Sequence, residues 1–305
     1  MTAKIAAFVD QKDHHAVQAW SWGVEAQVFK LSSQDEILDA LHQVVEQRIK
    51  VVAVQGSDAF LALVLTCWSR HFVGQEHPVR FFPLPVPHVE CLVATQLGKN
   101  ENLERRVKKL VKKAKKNALQ DLDSQRISAM RVSNSVEDGA TYAFSLALGW
   151  FYDLWLASKK GGFSGAAKLA TMGVDAAKRI RDARAGVASQ SGESSEQVLV
   201  MKDRTEAGTA PFGLLCSSLE STLFDIHLSG GESMDLLQVD DEKQALAVMA
   251  RSKAPLTVLK GSHGARVKTL HIDGLTRCVV DGQEVEMKPA GILSVSQGSS
   301  FELLY

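Results

Sequence analysis

The first 98 residues alternate short β-branched runs with helix-patterned segments, and this alternation constrains the fold more than any other feature. "KIAAFV" (4–9) and "AQVFKL" (26–31) have strand character, with a short helix expected over 14–22. Ser33-Gln34-Asp35-Glu36 is a capping box ahead of an apolar stripe at Ile37, Leu41, Val44 and Val45, which predicts a helix from Ser33 through Arg48. "VVAV" (51–54) is broken by Gly56-Ser57-Asp58, after which Phe60, Leu61, Val64, Leu65 and Trp68 recur at helical spacing. A fourth run, "VRFFPL" (79–84), closes the series. Strands separated by helices need crossover connections, so the order predicts a parallel sheet with helices on both faces. Ligands of such sheets bind beyond the carboxyl ends of the strands, where Asp10, Gly56 and Pro85 fall.

From 126 onward the pattern changes to short apolar runs separated by turns, several alternating with period two. Examples are "RISAMRV", "YAFSLAL", "FGLLCSSL" and "VKTLHID". This predicts a β-rich, mainly antiparallel C-terminal domain, interrupted by a helix over 164–184 and a Ser/Gly-rich loop over 186–197. The expected organisation is an α/β nucleotide-binding-like domain over 1–124, completed by the tail 290–305, and a β-rich lipid-binding-like domain over 125–289. Lys plus Arg equal Asp plus Glu at 35 each, so no whole-chain field favours nucleic acid. The four cysteines are far apart with no C-x-x-C pair, which fits a reducing cytoplasm better than a disulfide or zinc framework. The most apolar stretch, 141–157, is shorter than the ~20 residues a spanning helix needs and carries Asp153, so it is read as core.

Taken in order, these motifs resemble the diacylglycerol kinase catalytic-domain family, which includes sphingosine kinases and bacterial lipid kinases. Gly56-Ser57-Asp58-Ala59-Phe60 matches the family's G-G-D-G-T. "FPLPVPHVECLVATQLG" (82–98) matches its proline-leucine, G-T-G-N and leucine-glycine segment, with Pro85, Pro87 and His88 in the glycine-rich part. "LESTLFDIHL" (219–228) is similar to its D-D-G-L-L-D-V motif, and "VVDGQEV" (279–285) to its D-G-E strand. The resemblance implies a two-domain lipid-kinase-like architecture that uses ATP and magnesium to phosphorylate an alcohol on a lipid. It implies a catalytic or nucleotide-contacting role for Asp58 and a general-base role for Asp281. It further implies nucleotide contacts from Asp10, Gly56, Ser57, Pro85 and His88, and metal ligation by Glu220 and Asp225. Two of these residues have equally direct structural readings: Asp58 as a helix N-cap and Asp281 as the first residue of an Asp-Gly hairpin turn.

The family lays triphosphate on backbone N–H groups in glycine loops, because glycine alone permits that approach. Here prolines remove donors, Ala59 and Phe60 add side chains, and the first loop, "VDQKDHH" (9–15), has no glycine and adds carboxylates. Two like charges ~4 Å apart cost ~4 kcal/mol at an effective dielectric near 20. The expectation is a lipid-kinase-like protein with impaired or lost phosphoryl transfer and a retained lipid- or membrane-binding role. Its alternatives are an active ATP- and magnesium-dependent lipid kinase and a non-lipid interaction module.

"ENLERRVKKLVKKAKKNAL" (101–119) carries eight basic residues between Arg105 and Lys116 around a stripe at Leu103, Val107, Leu110, Val111, Ala114 and Ala118. One reading is a membrane-surface helix presenting Arg105, Arg106, Lys108, Lys109, Lys112 and Lys113 to anionic lipid. The other is a solvated helix whose stripe packs on its own domain. Nucleic acid is disfavoured, since no aromatic residue is interleaved for base stacking. The expected partners are a lipid or anionic membrane surface and a second copy of the chain. The expected location is the cytoplasm, peripheral at the inner membrane face.

Overall fold

The computed structural model describes residues 5–11, 26–72, 74, 79–86, 91–98, 101–135, 139–160, 199–202, 205–207, 213–219, 234–250, 263–287 and 291–305. The chain divides into two compact units. The first comprises Met1–Ala129, Thr141–Ala143 and Ser299–Tyr305, and the second Met130–Ala140 and Phe144–Gly298. The segments expected over 14–22, 164–184 and 186–197 lie outside the described residues.

The first unit contains β1 (Ile5–Asp10), β2 (Ala26–Leu31), α1 (Gln34–Glu46), β3 (Val51–Gln55), α2 (Asp58–His71), β4 (Arg80–Leu84), α3 (Leu92–Gly98) and α4 (Leu103–Lys115). The strands lie in the order β2-β1-β3-β4 and are parallel throughout. Leu303, near the end of the chain, pairs with Phe81 of β4, also in parallel. The capping box forms as the sequence predicts: Ser33 Oγ accepts from Glu36 N–H, and the Glu36 carboxylate accepts from Ser32 and Ser33 N–H. Successive side chains of a strand point to opposite faces. Accordingly, Phe81 meets Trp68 of α2 edge-on at 5.7 Å, while Phe82 joins Val107, Leu110 and Ala114 of α4 in a core cluster on the other face. Burial of Val107 and Leu110 contributes roughly 3–6 kcal/mol toward holding α4 there.

In the second unit, β7 (Ser145–Gly149), β10 (Gly213–Ser217), β11 (Met234–Val239), β12 (His263–Val267), β14 (Arg277–Val280) and β15 (Gln283–Glu286) form a sheet in the order β12-β11-β10-β7-β14-β15. Every pair in it is antiparallel. β13 (Thr269–Asp273) pairs antiparallel with both β8 (Leu199–Lys202) and residues 293–296. The helix α5 begins at Trp150, and Trp150, Phe151, Leu154 and Trp155 enter the core with Leu215, Leu237 and Val279. The apolar stretch 141–157 is therefore core in its described part. No described helix is long and apolar enough to cross a membrane.

Candidate functional site

Strand register assembles the first cluster. Val9 lies beside Gln55, and Gln55 beside Leu84. The next residues of the three strands, Asp10, Gly56 and Pro85, therefore emerge together at the carboxyl edge of the sheet. Ser57 is the N-cap of α2, its Oγ accepting from Phe60 N–H at 3.2 Å. This corrects the N-cap reading of Asp58, which is the first residue of the helix and caps a different one. The Asp58 carboxylate accepts from the N–H groups of Leu92 (2.6 Å) and Val93 (3.1 Å), the first two residues of α3. Asp58 is only 4% exposed.

Gly56 owes its identity to crowding, because its backbone does not adopt a left-handed conformation. A Cβ there would stand 2.7 Å from the ring of Phe60 and 3.1 Å from Cβ of Asp10. The Phe60 ring lies directly against the glycine. Cys91 binds the same loop to its neighbour: its thiol donates to the Gly56 carbonyl at 3.0 Å, and its sulfur accepts from Val86 N–H at 3.4 Å. Pro85 has no N–H to offer.

The other end of α3 is held by Arg106. Its guanidinium donates to the Ala94 carbonyl at 2.6 Å and lies 4.8 Å from the centre of the Phe82 ring. A Cβ at Gly98 would fall 2.7 Å from the guanidinium, so only glycine leaves room for it. A seven-residue helix is marginal alone; here a carboxylate sits at its positive end and a cation near its negative end. Arg106 is 0% exposed, which corrects its assignment to a membrane-facing surface. The helical period contains the signal, because Arg106 lies three residues after Leu103 and four before Leu110, within the apolar stripe. Burial pushes its pKa down to about 10, opposed by the negative charge of Glu101, so it stays protonated at neutral pH. Among the described residues its Nε and Nη2 have no hydrogen-bond partner. Because those atoms are desolvated without compensation, Arg106→Met is expected to change stability by no more than about 1 kcal/mol. Chemical denaturation checks this, and a loss of several kcal/mol would show that the charge itself is needed.

Lys109 and Lys113 make contacts within their own unit. Both are half-buried: Lys109 approaches Asp123 at 3.9 Å and the Tyr305 ring at 5.7 Å, and Lys113 donates to the Asp121 carbonyl. Arg105, Lys108 and Lys112 are exposed, as expected, and the same face continues through Lys115 and Lys116. Those two lie three and four residues beyond Lys112, so helical spacing alone could have included them.

Asp281 belongs to the second unit and is 3% exposed. It and Gly282 form the two-residue turn between β14 and β15, with φ of 47° and 74°, as a type I′ hairpin requires. Its Oδ1 accepts from Phe144 N–H (2.9 Å), Ser145 N–H (2.7 Å) and Ser145 Oγ (3.1 Å). Burial pushes its pKa up to about 7, against the lowering effect of those three donors. His88, Glu220 and Asp225 lie outside the described residues. Among the described residues no group of three or more His, Cys, Asp or Glu side chains is placed to hold a metal. None of the four buried cysteines forms a disulfide.

No protein-family model matches the sequence, and no curated protein shows significant similarity to it. Solved structures do match in three dimensions. A diacylglycerol kinase from Bacillus anthracis str. Sterne superposes with a TM-score of 0.60 at 13% identity, over 99% of this chain and 97% of that one. A candidate diacylglycerol kinase from Bacillus anthracis str. Sterne gives 0.64 at 12% identity, over 99% and 95%. The fold is that of a diacylglycerol kinase. An NAD kinase from Archaeoglobus fulgidus in complex with ATP also matches, with a TM-score of 0.44 at 13% identity over 99% and 93%, too low to bear on function. Within the diacylglycerol kinase fold, the loops after β3 and β4 carry internal packing and capping contacts at the positions that the sequence resemblance assigns to nucleotide.

Proposed function

We propose that this chain is a diacylglycerol-kinase-like protein in which ATP-dependent phosphoryl transfer is impaired or lost, while a lipid- or membrane-binding role is kept. The observation that carries the reading is the occupation of the Gly56 loop by its own side chains. A triphosphate lying against the main chain at Gly56 needs the space held by the Phe60 ring and the Asp10 side chain. The nearby donors are engaged too: Leu92 and Val93 N–H by Asp58, and Val86 N–H by Cys91. Asp10 adds a carboxyl group to the same edge, which disfavours phosphate further. These residues do not fit ATP with magnesium, and no phosphoryl-transfer step is derived through them.

Calorimetric titration of the full chain with ATP and Mg²⁺ tests the proposal. The expected result is affinity no tighter than about 1 mM, a binding free energy near −4 kcal/mol. Micromolar affinity, or phosphate transfer from ATP to a diacylglycerol or sphingoid lipid, would overturn it and restore the active-kinase reading.

A further inference from the structure

We infer that the exposed face of α4 is an electrostatic docking surface for the phosphate headgroups of an anionic bilayer, built from Arg105, Lys108, Lys112, Lys115 and Lys116. The inference rests on the membrane-binding part of the proposed function and names its surface, so undiminished vesicle binding by a variant of that surface would overturn the inference and leave the function standing. The helix separates its charges by role. Arg106, Val107, Leu110 and Ala114 are buried, and Lys109 and Lys113 bind Asp123 and the Asp121 carbonyl. The five remaining cations recur every three or four residues along one exposed stripe, about 16 Å long at 1.5 Å per residue. Glu104 is the one acid within α4, and it pairs with Lys108 at 2.5 Å with both side chains more than half exposed. Among the described residues no acid pairs with Lys112, Lys115 or Lys116. Like charges at this spacing repel one another, although those in the last turn of α4 also meet the negative end of its dipole.

The shape between the cations selects the partner. Lys108, Val111, Lys112, Lys115 and Lys116 line an open groove of about 410 Å³. Four lysines and Val111 line it, so ammonium groups and apolar carbon are available together. The phosphates of an anionic bilayer surface supply the charge that these cations lack within the chain. No aromatic residue occurs from Leu103 to Lys116 to stack a nucleic-acid base. Val107, Leu110 and Ala114 of the apolar stripe are buried in their own core cluster, and the partly buried Leu103 and Val111 leave too little apolar surface to insert into lipid. Binding is therefore electrostatic and superficial, which predicts steep attenuation by salt as the screening length shortens.

The test is co-sedimentation of the full chain, without nucleotide, with vesicles of phosphatidylcholine or of phosphatidylcholine plus phosphatidylglycerol. Binding is expected only to the anionic vesicles, and to be lost between about 0.05 M and 0.5 M salt. The variant K108Q/K112Q/K115Q/K116Q is expected to lose ~100-fold or more in vesicle affinity, at ~1 kcal/mol per basic residue near the surface. Its melting temperature should stay within a few degrees of the parent's, since relieved repulsion is offset by loss of the Glu104–Lys108 pair and of cations at the helix end. K109Q/K113Q, on the inner flank of the same helix, is expected to keep vesicle binding. The inference is overturned if the parent chain ignores anionic vesicles at low salt, if the quadruple variant binds them undiminished, or if a nucleic-acid duplex binds more tightly than the vesicles. Because no ATP is present, none of these results depends on the state of the nucleotide loops.

Discussion

Asp281→Ala is expected to destabilise the chain by about 4 kcal/mol when measured near pH 5. The N–H groups of Phe144 and Ser145 both donate to Oδ1 of Asp281 in a fully buried setting. Removing the carboxyl leaves two buried backbone donors without a partner, at about 1–3 kcal/mol each. Alanine also tolerates the left-handed backbone at this turn less well than aspartate, adding about 1 kcal/mol. Denaturant unfolding checks the value, and a variant as stable as the parent would show that the turn holds without its carboxyl anchor.

The pH dependence of the same residue has a definite sign. Burial raises the folded-state pKa from 3.8 to about 7, so the folded chain holds this proton more tightly than the unfolded chain. The contribution is fully present below about pH 4 and is lost as pH rises through about 7. At about 1.4 kcal/mol per tenfold change, the span is on the order of 4 kcal/mol. Asp281→Asn keeps an acceptor at Oδ1 and has no proton to lose. Its stability curve should be flatter than the parent curve between about pH 4 and 8. Parallel curves would show that Asp281 does not titrate in that range.

Asp58→Ala is the second large effect, expected to cost about 2–4 kcal/mol. Among the described residues its carboxylate is what caps both Leu92 and Val93 N–H, and it lies at the favourable end of the helix. Hydrogen exchange at Leu92 and Val93 should accelerate before exchange in α2 does. A variant that melts like the parent, with both amides still protected, would remove the capping role and leave the carboxylate open to a catalytic one.

Much of the fold is legible one segment at a time. The capping box at Ser33 and Glu36 and the breaks at Gly56 and Asp281-Gly282 are local rules, and the structure obeys them. The meeting of Asp10, Gly56 and Pro85 at one sheet edge follows from parallel register alone. Local rules fail where a side chain acts across a long sequence separation. Asp58 follows the cap of α2 by one residue, yet it caps a helix that begins 34 residues later. Arg105 and Arg106 are adjacent and chemically identical, and one is exposed while the other is buried under Phe82 and Gly98.

What the sequence determined by itself is periodicity: which segments are strands, which are helices, and therefore which architecture can bury them. Only the tertiary structure decided how each loop uses its polar groups. A carboxylate or guanidinium satisfies the nearest unpaired donor or acceptor in space, and that neighbour is chosen by packing, which no local spacing encodes.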